Sequence, residues 1–321
     1  MNVLLIGEEA AGVKMLRALK ERDYRVVAVM ASSAKEAYAG ATMWDVANTL
    51  GYTTWDAGLA TDPSLADAVG ALDVDIVLNV HSLAVIDGAV LEAARHGGYN
   101  LHPGPLPRYA GLNSVSWALY RGEATHGVTV HRMEAAIDGG AIAYQEAFPV
   151  SSEDTALTVS ARCVKIGVRL MLRLLSTLSK DPSAVPAHQQ DLSQREFFGP
   201  EVPHQGKLSW AQPAARAVDF VRACDYYPLA SSWGHPRAQV GSREIGIVKA
   251  SRTGEATDAP PGTVGETVGS SVRIACGDEW ISVAKVHVDG RYADAADVLR
   301  SGPRLQDGLN SAGVSLERVG R

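Results

Sequence analysis

The stretch from residue 3 to residue 30, VLLIGEEAAGVKMLRALKERDYRVVAVM, is typical of a strand, a turn, a helix and a second strand. Residues 3–6 form a continuous apolar run short enough for a buried strand. Apolar positions within residues 13–19 recur at helical spacing, and residues 25–30 are a second apolar, β-branched run. This order predicts a βαβ unit with parallel strands.

The same alternation continues along the first hundred residues. Further strands are predicted at 76–80 and around 99–101, and helical patterns fall at 63–72 and 88–95. Strands that alternate with helices favour a parallel sheet covered on both faces. We therefore expect an α/β fold with a Rossmann-like, mostly parallel sheet.

A segment rich in proline, glycine and glutamine, residues 181–206, interrupts these patterns. We interpret it as a linker between two domains. Residues 1–180 then form the α/β domain, which continues past the sheet with two strands, a turn at 138–140 and a long helix. Short β-like runs separated by Gly and Asp turns predict a small β-rich, OB-like barrel over residues 207–321.

Composition and charge exclude several classes of protein. The 321 residues are 46% hydrophobic and 21% charged, which excludes a chain that is mainly disordered. The three cysteines are far apart, and the histidines lack the spacing of metal ligands, so we expect neither disulfides nor a metal site. We see no signal peptide and no apolar run of membrane length, and expect a cytoplasmic protein with no membrane partner. The net charge of -6 argues against a nucleic-acid partner.

The run NLHPGPLPRYAG, residues 100–111, is the first candidate for chemistry. Its prolines and glycines predict a rigid loop after a strand. Residues two apart in an extended segment point to the same side, so Asn100 and His102 project together at the sheet edge where ligands bind. An amide and an imidazole suit acyl transfer, by stabilising an oxyanion and moving a proton. A purely structural histidine is the alternative, as is an ordinary hairpin turn for Asp138 and its glycines.

Four motifs in order carry a family resemblance: residues 100–111, residues 117–119 with 122–123, residues 127–133, and residues 138–142. Together they resemble the folate-dependent formyltransferases. Segments beyond residue 205 resemble the C-terminal domain of the two-domain members: 206–210, 220–228, 261–264 and 272–277. The resemblance implies 10-formyltetrahydrofolate as formyl donor, an amine as acceptor, and Asn100, His102 and Asp138 as the catalytic group. It implies no metal.

The resemblance also suggests binding residues. For the pterin of the folate we expect a slot at two strand ends, formed by Ser82, Leu83, Ala84 and Val85 and by Gly139, Gly140 and Ala141. Core packing is the alternative for Leu83 and Val85. For the acceptor we expect Gly104, Pro105, Arg108, Tyr109 and Asn113, and a merely solvated Arg108 is the alternative. Gly104 and Pro105 replace the usual Ser and Leu of the family loop, as in its secondary-metabolic members.

The acceptor is expected to be a small amine. Residues 31–42 contain one Lys and one Glu, whereas a tRNA-binding member needs a basic loop there. Candidates are a nucleotide-linked amino sugar, a hydroxyornithine-like or other amino acid, and a carrier-bound amino acid, all typical of secondary metabolism. The alternatives are a methionyl-tRNA formyltransferase, a 10-formyltetrahydrofolate hydrolase, a NAD-dependent oxidoreductase and a non-catalytic module. The sequence speaks against the oxidoreductase, because it has neither the GxGxxG spacing nor the acidic residue after the second strand that bind a dinucleotide. The oligomeric state stays open, and a homodimer is one option.

Overall fold

The computed structural model describes residues 1–33, 41–299 and 304–308, which divide into two compact units. The first unit contains residues 1–115, 124–150 and 158–199, and the second contains residues 116–123, 151–157 and 200–321. The domain boundaries expected from the sequence, at residues 180 and 206, stay a prediction. Most of the weakly charged loop at residues 31–42 lies outside the described residues.

The first unit is built on a seven-stranded sheet. Its strands, with a separate two-stranded pair, are β1 (Asn2–Gly7), β2 (Arg25–Ala31), β3 (Thr54–Asp56), β4 (Ile76–Val80), β5 (Gly98–His102), β6 (Ala110–Gly111), β7 (Thr125–Arg132), β8 (Ile142–Pro149) and β9 (Phe197–Phe198). The sheet order is β3-β2-β1-β4-β5-β7-β8. Strands β1 to β5 run parallel, whereas β7 and β8 run antiparallel to their neighbours. The small pair is β6 with β9. The mostly parallel, Rossmann-like sheet is confirmed.

Four helices alternate with the parallel strands: α1 (Glu9–Glu21), α2 (Met43–Thr49), α3 (Leu65–Ala71) and α4 (Gly88–Ala93). Two more follow them along the chain: α5 (Ser114–Arg121), most of which belongs to the second unit, and α6 (Ala156–Lys180). Every residue of β4 is buried, as expected of a strand covered on both faces. In the described part of the chain, no helix is both long and apolar enough to cross a membrane.

Helix α6 determines which way the end of β5 faces. A Cβ atom built on Gly167 of α6 would lie only 2.4 Å from the Leu101 side chain, so helix and strand are in close contact there. Since side chains alternate along a strand, Asn100 and His102 point to the face opposite Leu101. The glycine in α6 therefore allows the close packing that directs both polar side chains away from the helix.

The second unit is built on an antiparallel sheet. Its strands and helices are β10 (Arg237–Val240), β11 (Arg243–Ala256), β12 (Val264–Val268), β13 (Ser271–Ala275), β14 (Glu279–Val288), β15 (Arg291–Asp294), β16 (Leu305–Asp307), α7 (Ala214–Cys224) and α8 (Ala295–Leu299). The order is β12-β13-β14-β11-β10-β16, with β15 paired to β14. Register shifts interrupt the pairing of β11 with β14, as expected where a long strand bends. The β-rich second fold is confirmed.

Candidate active site

The candidate site lies at the carboxyl end of β5, beside the antiparallel strand β7. Asn100 lies directly opposite His131, and His102 lies directly opposite Thr129. Side chains that face each other across a strand pair are close neighbours on one face of the sheet. The two predicted residues of β5 therefore share a face with a histidine and a threonine from β7.

Asp138 joins this group from the turn between β7 and β8. Its Oδ1 lies 3.3 Å from Asn100 Nδ2 and 3.3 Å from His131 Nε2. Its Oδ2 lies 3.5 Å from His102 Nδ1 and accepts a hydrogen bond from the Gly111 amide at 2.8 Å. The structure thus brings Asn100, His102 and Asp138 together, and adds His131 and the backbone of Gly111.

The backbone fixes the orientation of His131. Its Nδ1 lies 2.8 Å from the carbonyl oxygen of Arg132, which can only accept, so Nδ1 carries the proton. In the neutral ring Nε2 is then an acceptor, and it lies 3.1 Å from Asn100 Nδ2. This contact directs the amide nitrogen of Asn100, rather than its oxygen, toward the Asp138 carboxylate.

His102 is held in a similar way. Its Nε2 lies 2.7 Å from the carbonyl oxygen of Tyr109, so Nε2 carries a proton and Nδ1 faces Asp138. The ring is only 4% exposed. Burial lowers the pKa of His102 below its ordinary value, and the nearby carboxylate of Asp138 opposes this effect only in part. At neutral pH the imidazole is therefore uncharged and presents a lone pair at Nδ1.

Asp138 remains a carboxylate. Burial by itself would raise its pKa, but His102, His131 and the Gly111 amide outweigh that effect and hold the pKa well below its ordinary range. The residue is 9% exposed and has a left-handed φ of 55°. The uncharged imidazole of His102 can take up a proton from a substrate at Nδ1, and the negative charge of Asp138 stabilises the resulting cation.

We expect the free energy of unfolding to fall as the pH is lowered from 7 toward 5. The pKa of His102 is lower in the folded chain than in the unfolded chain, so in this range the unfolded chain binds a proton that the folded chain excludes. His235, whose pKa burial also lowers, acts in the same direction. The free energy of unfolding is measured by urea titration at each pH. In His102→Gln, the slope of this free energy against pH should be smaller by at most about 1.4 kcal/mol per pH unit. His188→Gln, at an exposed side chain, is the control, and equal slopes for wild type and His102→Gln would contradict the prediction.

The loop that follows His102 is held by side chains. Thr129 Oγ1 donates to the carbonyl oxygen of Gly104 at 2.7 Å and accepts from the Leu106 amide at 3.2 Å. Three further side chains contact carbonyl groups of this loop: Ser114 and His126 that of Pro103, and Gln145 that of Leu106. The rigid loop expected from the prolines is therefore also fixed by polar contacts from α5, β7 and β8.

Gly104 leaves room for the imidazole. A Cβ atom at this position would lie 2.6 Å from His102 Nε2 and 3.0 Å from the Tyr109 carbonyl oxygen. We expect Gly104→Ala to displace His102 and to reduce the turnover rate by about 10-fold or more, since small misplacements of reacting groups are costly. Steady-state kinetics and the imidazole NMR signals test this. Gly70→Ala is the control, because its Cβ meets no described atom within 4 Å. Wild-type rates in Gly104→Ala would contradict the prediction.

The residues expected to bind the acceptor have different surroundings. Arg108 is paired with Glu196 at 3.1 Å. The ring of Tyr109 is buried and stacks on Phe198 with a centroid distance of 5.5 Å. Asn113 is half-buried with a φ of 55°, and Gly104 and Pro105 line the base of the loop beside Thr129 and Gly127. Their role toward an acceptor stays a prediction.

The residues expected to form the pterin slot lie in two loops, one after β4 and one between β7 and β8. After β4, Leu83 is 81% and Val85 is 60% exposed, and the Ala84 amide donates to Ser82 Oγ at 3.2 Å. In the other loop, Gly140 packs so closely that its Cβ would lie 2.1 Å from the Arg132 carbonyl oxygen; Gly139 and Ala141 flank it. The exposed apolar side chains do not belong to the core, and their role toward folate stays a prediction.

Sequence reasoning assigned no role to four residues that support this site. They are His131, Thr129, Gln190 and Arg195. The alternation along β7 was the available signal for His131 and Thr129, whereas Gln190 and Arg195 lie in the segment interpreted as a linker. Among the described residues, no group of three or more His, Cys, Asp or Glu side chains is placed to hold a metal ion.

Known proteins are similar to this chain in sequence and in fold. A methionyl-tRNA formyltransferase from Anaeromyxobacter sp. (strain K) is 27% identical over 313 residues, which cover 95% of this chain and 97% of that protein. The fold is similar to that of an N-formyltransferase from Helicobacter canadensis, solved with folinic acid and dTDP-3-aminofucose (TM-score 0.67, 16% identity, 88% of this chain and 98% of that one). It is also similar to HypX from Aquifex aeolicus, solved with tetrahydrofolic acid (TM-score 0.66, 16% identity, 92% of this chain and 46% of that one).

Two family models match the chain. The model described as formyl transferase matches residues 1–175, and the model described as formyl transferase, C-terminal domain, matches residues 202–303. The family expected from the motifs at residues 100–142 is therefore confirmed. Because the first match spans more than half of the 321 residues and the second lies in the β-rich part, the chain belongs to the formyl transferase family.

Proposed function

We propose that the chain transfers the formyl group of 10-formyltetrahydrofolate to the amine of a small molecule. The observation that carries this proposal is the contact network of Asn100, His102 and Asp138 at the carboxyl end of β5. It combines an amide donor, an uncharged imidazole and a carboxylate within hydrogen-bonding range. Acyl transfer to an amine needs these three groups, to stabilise an oxyanion and to move one proton.

The site has features that fit a folate. Leu83, Val85 and Ile137 are large apolar side chains that are half or more exposed. At the end of β4, just before Leu83 and Val85 in the chain, two buried polar atoms have no hydrogen-bond partner among the described residues: Asn79 Oδ1 and His81 Nε2. Exposed apolar surface beside unpaired polar atoms suits a flat ring system with its own donors and acceptors. These features support folate as the formyl donor.

The network supports a sequence of proton movements. Asn100 exchanges one of its two N–H contacts, to His131 or to Asp138, for a hydrogen bond to the oxygen of the formyl carbon as the amine adds and the new C–N bond forms. His102 Nδ1 and Asp138 take up the proton that the amine nitrogen loses, as an imidazolium beside a carboxylate. The pair then returns this proton to the folate nitrogen as the old C–N bond breaks. The Gly111 amide holds the carboxylate in place throughout.

The charge distribution supports a small acceptor over a tRNA. Residues 200–321 contain 14 acidic and 14 basic side chains, so the whole net charge of -6 lies in residues 1–199. A domain that binds RNA usually carries a basic excess. The Anaeromyxobacter relative is a methionyl-tRNA formyltransferase, whereas the Helicobacter structure contains an amino sugar linked to a nucleotide. We favour a nucleotide-linked amino sugar or an amino acid, free or carrier-bound, in secondary metabolism.

The setting and assembly of the enzyme are also proposals. We expect it to act in the cytoplasm, where its three buried thiols, Cys163, Cys224 and Cys276, stay reduced. Burial raises the pKa of the Cys163 thiol to about 12, which makes it a poor nucleophile. A homodimer is one option for the assembly, and size-exclusion chromatography with light scattering would determine it.

A screen of small amines tests the proposal. The full chain is mixed with 10-formyltetrahydrofolate and each amine, and mass spectrometry detects products that have gained one carbon monoxide unit. We expect such a product from at least one amino sugar nucleotide or amino acid. Release of tetrahydrofolate that is unchanged by any amine would instead indicate a hydrolase, with water as the acceptor. Absence of folate binding in calorimetry would refute both.

A further inference from the structure

The turn that carries Asp138 is held through its carbonyl groups, independently of its carboxylate. Gln190 Nε2 donates hydrogen bonds to the carbonyl oxygens of Asp138 and Gly140, at 2.8 and 2.7 Å. Arg195 Nη2 donates to the carbonyl oxygen of Ile137 at 2.7 Å. Two side chains thus hold three carbonyl groups within four consecutive residues.

This turn needs such support because its backbone is strained. Asp138 has a φ of 55°, in the left-handed region that glycine adopts freely and aspartate only occasionally. The neighbouring Gly140 is in contact with the Arg132 carbonyl. A strained conformation persists only where its surroundings fix it. Without the three hydrogen bonds, the turn could relax and carry the carboxylate away from Asn100 and His102.

The two donors are themselves fixed by neighbouring backbone contacts. Near Gln190, the backbones of His188 and Ile142 exchange two hydrogen bonds, of 2.8 and 3.0 Å. Near Arg195, strand β9 pairs with β6, and the guanidinium lies 5.0 Å from the centre of the Phe197 ring. Both side chains are therefore presented to the turn by an ordered segment, residues 188–198.

We propose that Gln190 and Arg195 are positioning residues for the Asp138 carboxylate. The inference rests on the proposed function, because Asp138 is the group that they position. Among the described residues, neither side chain forms a hydrogen bond with Asn100 or His102, and both bond the backbone of the turn instead. Residues 188–198, which the sequence suggests are a linker, thereby control the geometry of the site.

Substitutions at Gln190 separate this role from simple packing. Gln190→Met keeps the length of the side chain and removes both donors. We expect its kcat to fall by about 10- to 100-fold, with the KM for the formyl donor changed by less than about twofold. Gln190→Glu places a carboxylate against two carbonyl oxygens, so at pH 7 its rate should be lower than that of Gln190→Met. Its rate should approach that of Gln190→Met as the pH falls and the carboxyl regains a donor.

Matched controls are available in the same unit. Gln189→Met makes the same change one residue away, at an exposed side chain that forms no hydrogen bond among the described residues. For Arg195→Met the control is Arg162→Met, because Arg162 also bonds a carbonyl oxygen at 2.7 Å and stacks at 5.1 Å on a phenylalanine ring. Its carbonyl partner, Pro149, lies at the end of β8 remote from the turn. We expect wild-type rates in both controls.

A measurement that needs no acceptor decides the proposal. The full chain is labelled with 13C at the aspartate carboxyl carbons, and the Asp138 signal is assigned with Asp138→Asn. In Gln190→Met the signal should titrate at a higher pH than in wild type and in Gln189→Met, because contacts that favour the carboxylate are weakened. Identical titrations, together with identical rates, would overturn the inference. Full formyl transfer in Asp138→Asn would refute the role assigned to Asp138, whereas the absence of formyl transfer to any amine by the wild-type chain would contradict the proposed function.

Discussion

Asp138→Asn is expected to reduce formyl transfer by about 10²-fold or more, which is the usual contribution of a positioned acid or base. The asparagine oxygen can still accept from the Gly111 amide, so the turn keeps its shape while the charge is lost. Without the carboxylate, an imidazolium at His102 loses its counter-charge, so His102 takes up the amine proton less readily. The measurement is kcat with 10-formyltetrahydrofolate and the amine found in the screen.

The control for this substitution is Asp67→Asn, at an exposed carboxylate on α3. Titration with 5-formyltetrahydrofolate should give the same dissociation constant, within about twofold, for wild type and both variants. If Asp138→Asn binds 5-formyltetrahydrofolate as tightly as the wild type but has a much lower kcat, Asp138 acts in the chemical step. A rate for Asp138→Asn equal to that of Asp67→Asn would remove Asp138 from the mechanism.

Substitutions at Asn100 are expected to have the second large effect. Asn100→Ala removes the donor assigned to the oxyanion, a change that costs about 10²- to 10³-fold in comparable sites. Asn100→Asp should be no faster despite its matching shape, since it places a second carboxylate about 3.3 Å from Asp138. Two carboxylates at that distance cannot both ionise easily.

The two Asn100 variants are distinguished by pH. The rate of Asn100→Asp should rise relative to that of Asn100→Ala as the pH falls, because the introduced carboxyl group regains a donor once it is protonated. Initial rates between pH 5 and 8, with Asn48→Asp at an exposed position as control, measure this difference. A ratio of the two rates that is constant with pH would contradict the assigned role of Asn100.

Parts of this site can be predicted from local sequence. The apolar runs at β1, β2 and β4 predict a sheet covered on both faces, because only a buried strand can be apolar along its whole length. The spacing of Asn100 and His102 predicts that they share a face. The proximity of Asp138 came from the family resemblance, because no local pattern connects a turn with a strand that ends 36 residues earlier.

Other parts depend on long-range register. His131 lies opposite Asn100 only because β7 pairs with β5 in one register, and a shift by one residue would turn it to the other face. Strands β6 and β9 have two residues each, too few to show any periodicity. Residues 188–198 look like a linker because proline and glutamine surround them, yet their contacts with β6 and with the turn hold them in the first unit.

The most direct test is a competition between acceptor classes. The full chain is given labelled 10-formyltetrahydrofolate with dTDP-3-aminofucose and the amines of the screen, and separately with methionyl-tRNA at physiological salt. We predict label in a small amine, no label in the tRNA, and loss of labelling in Asp138→Asn. Rapid labelling of methionyl-tRNA, with none in any small amine, would contradict the proposed acceptor.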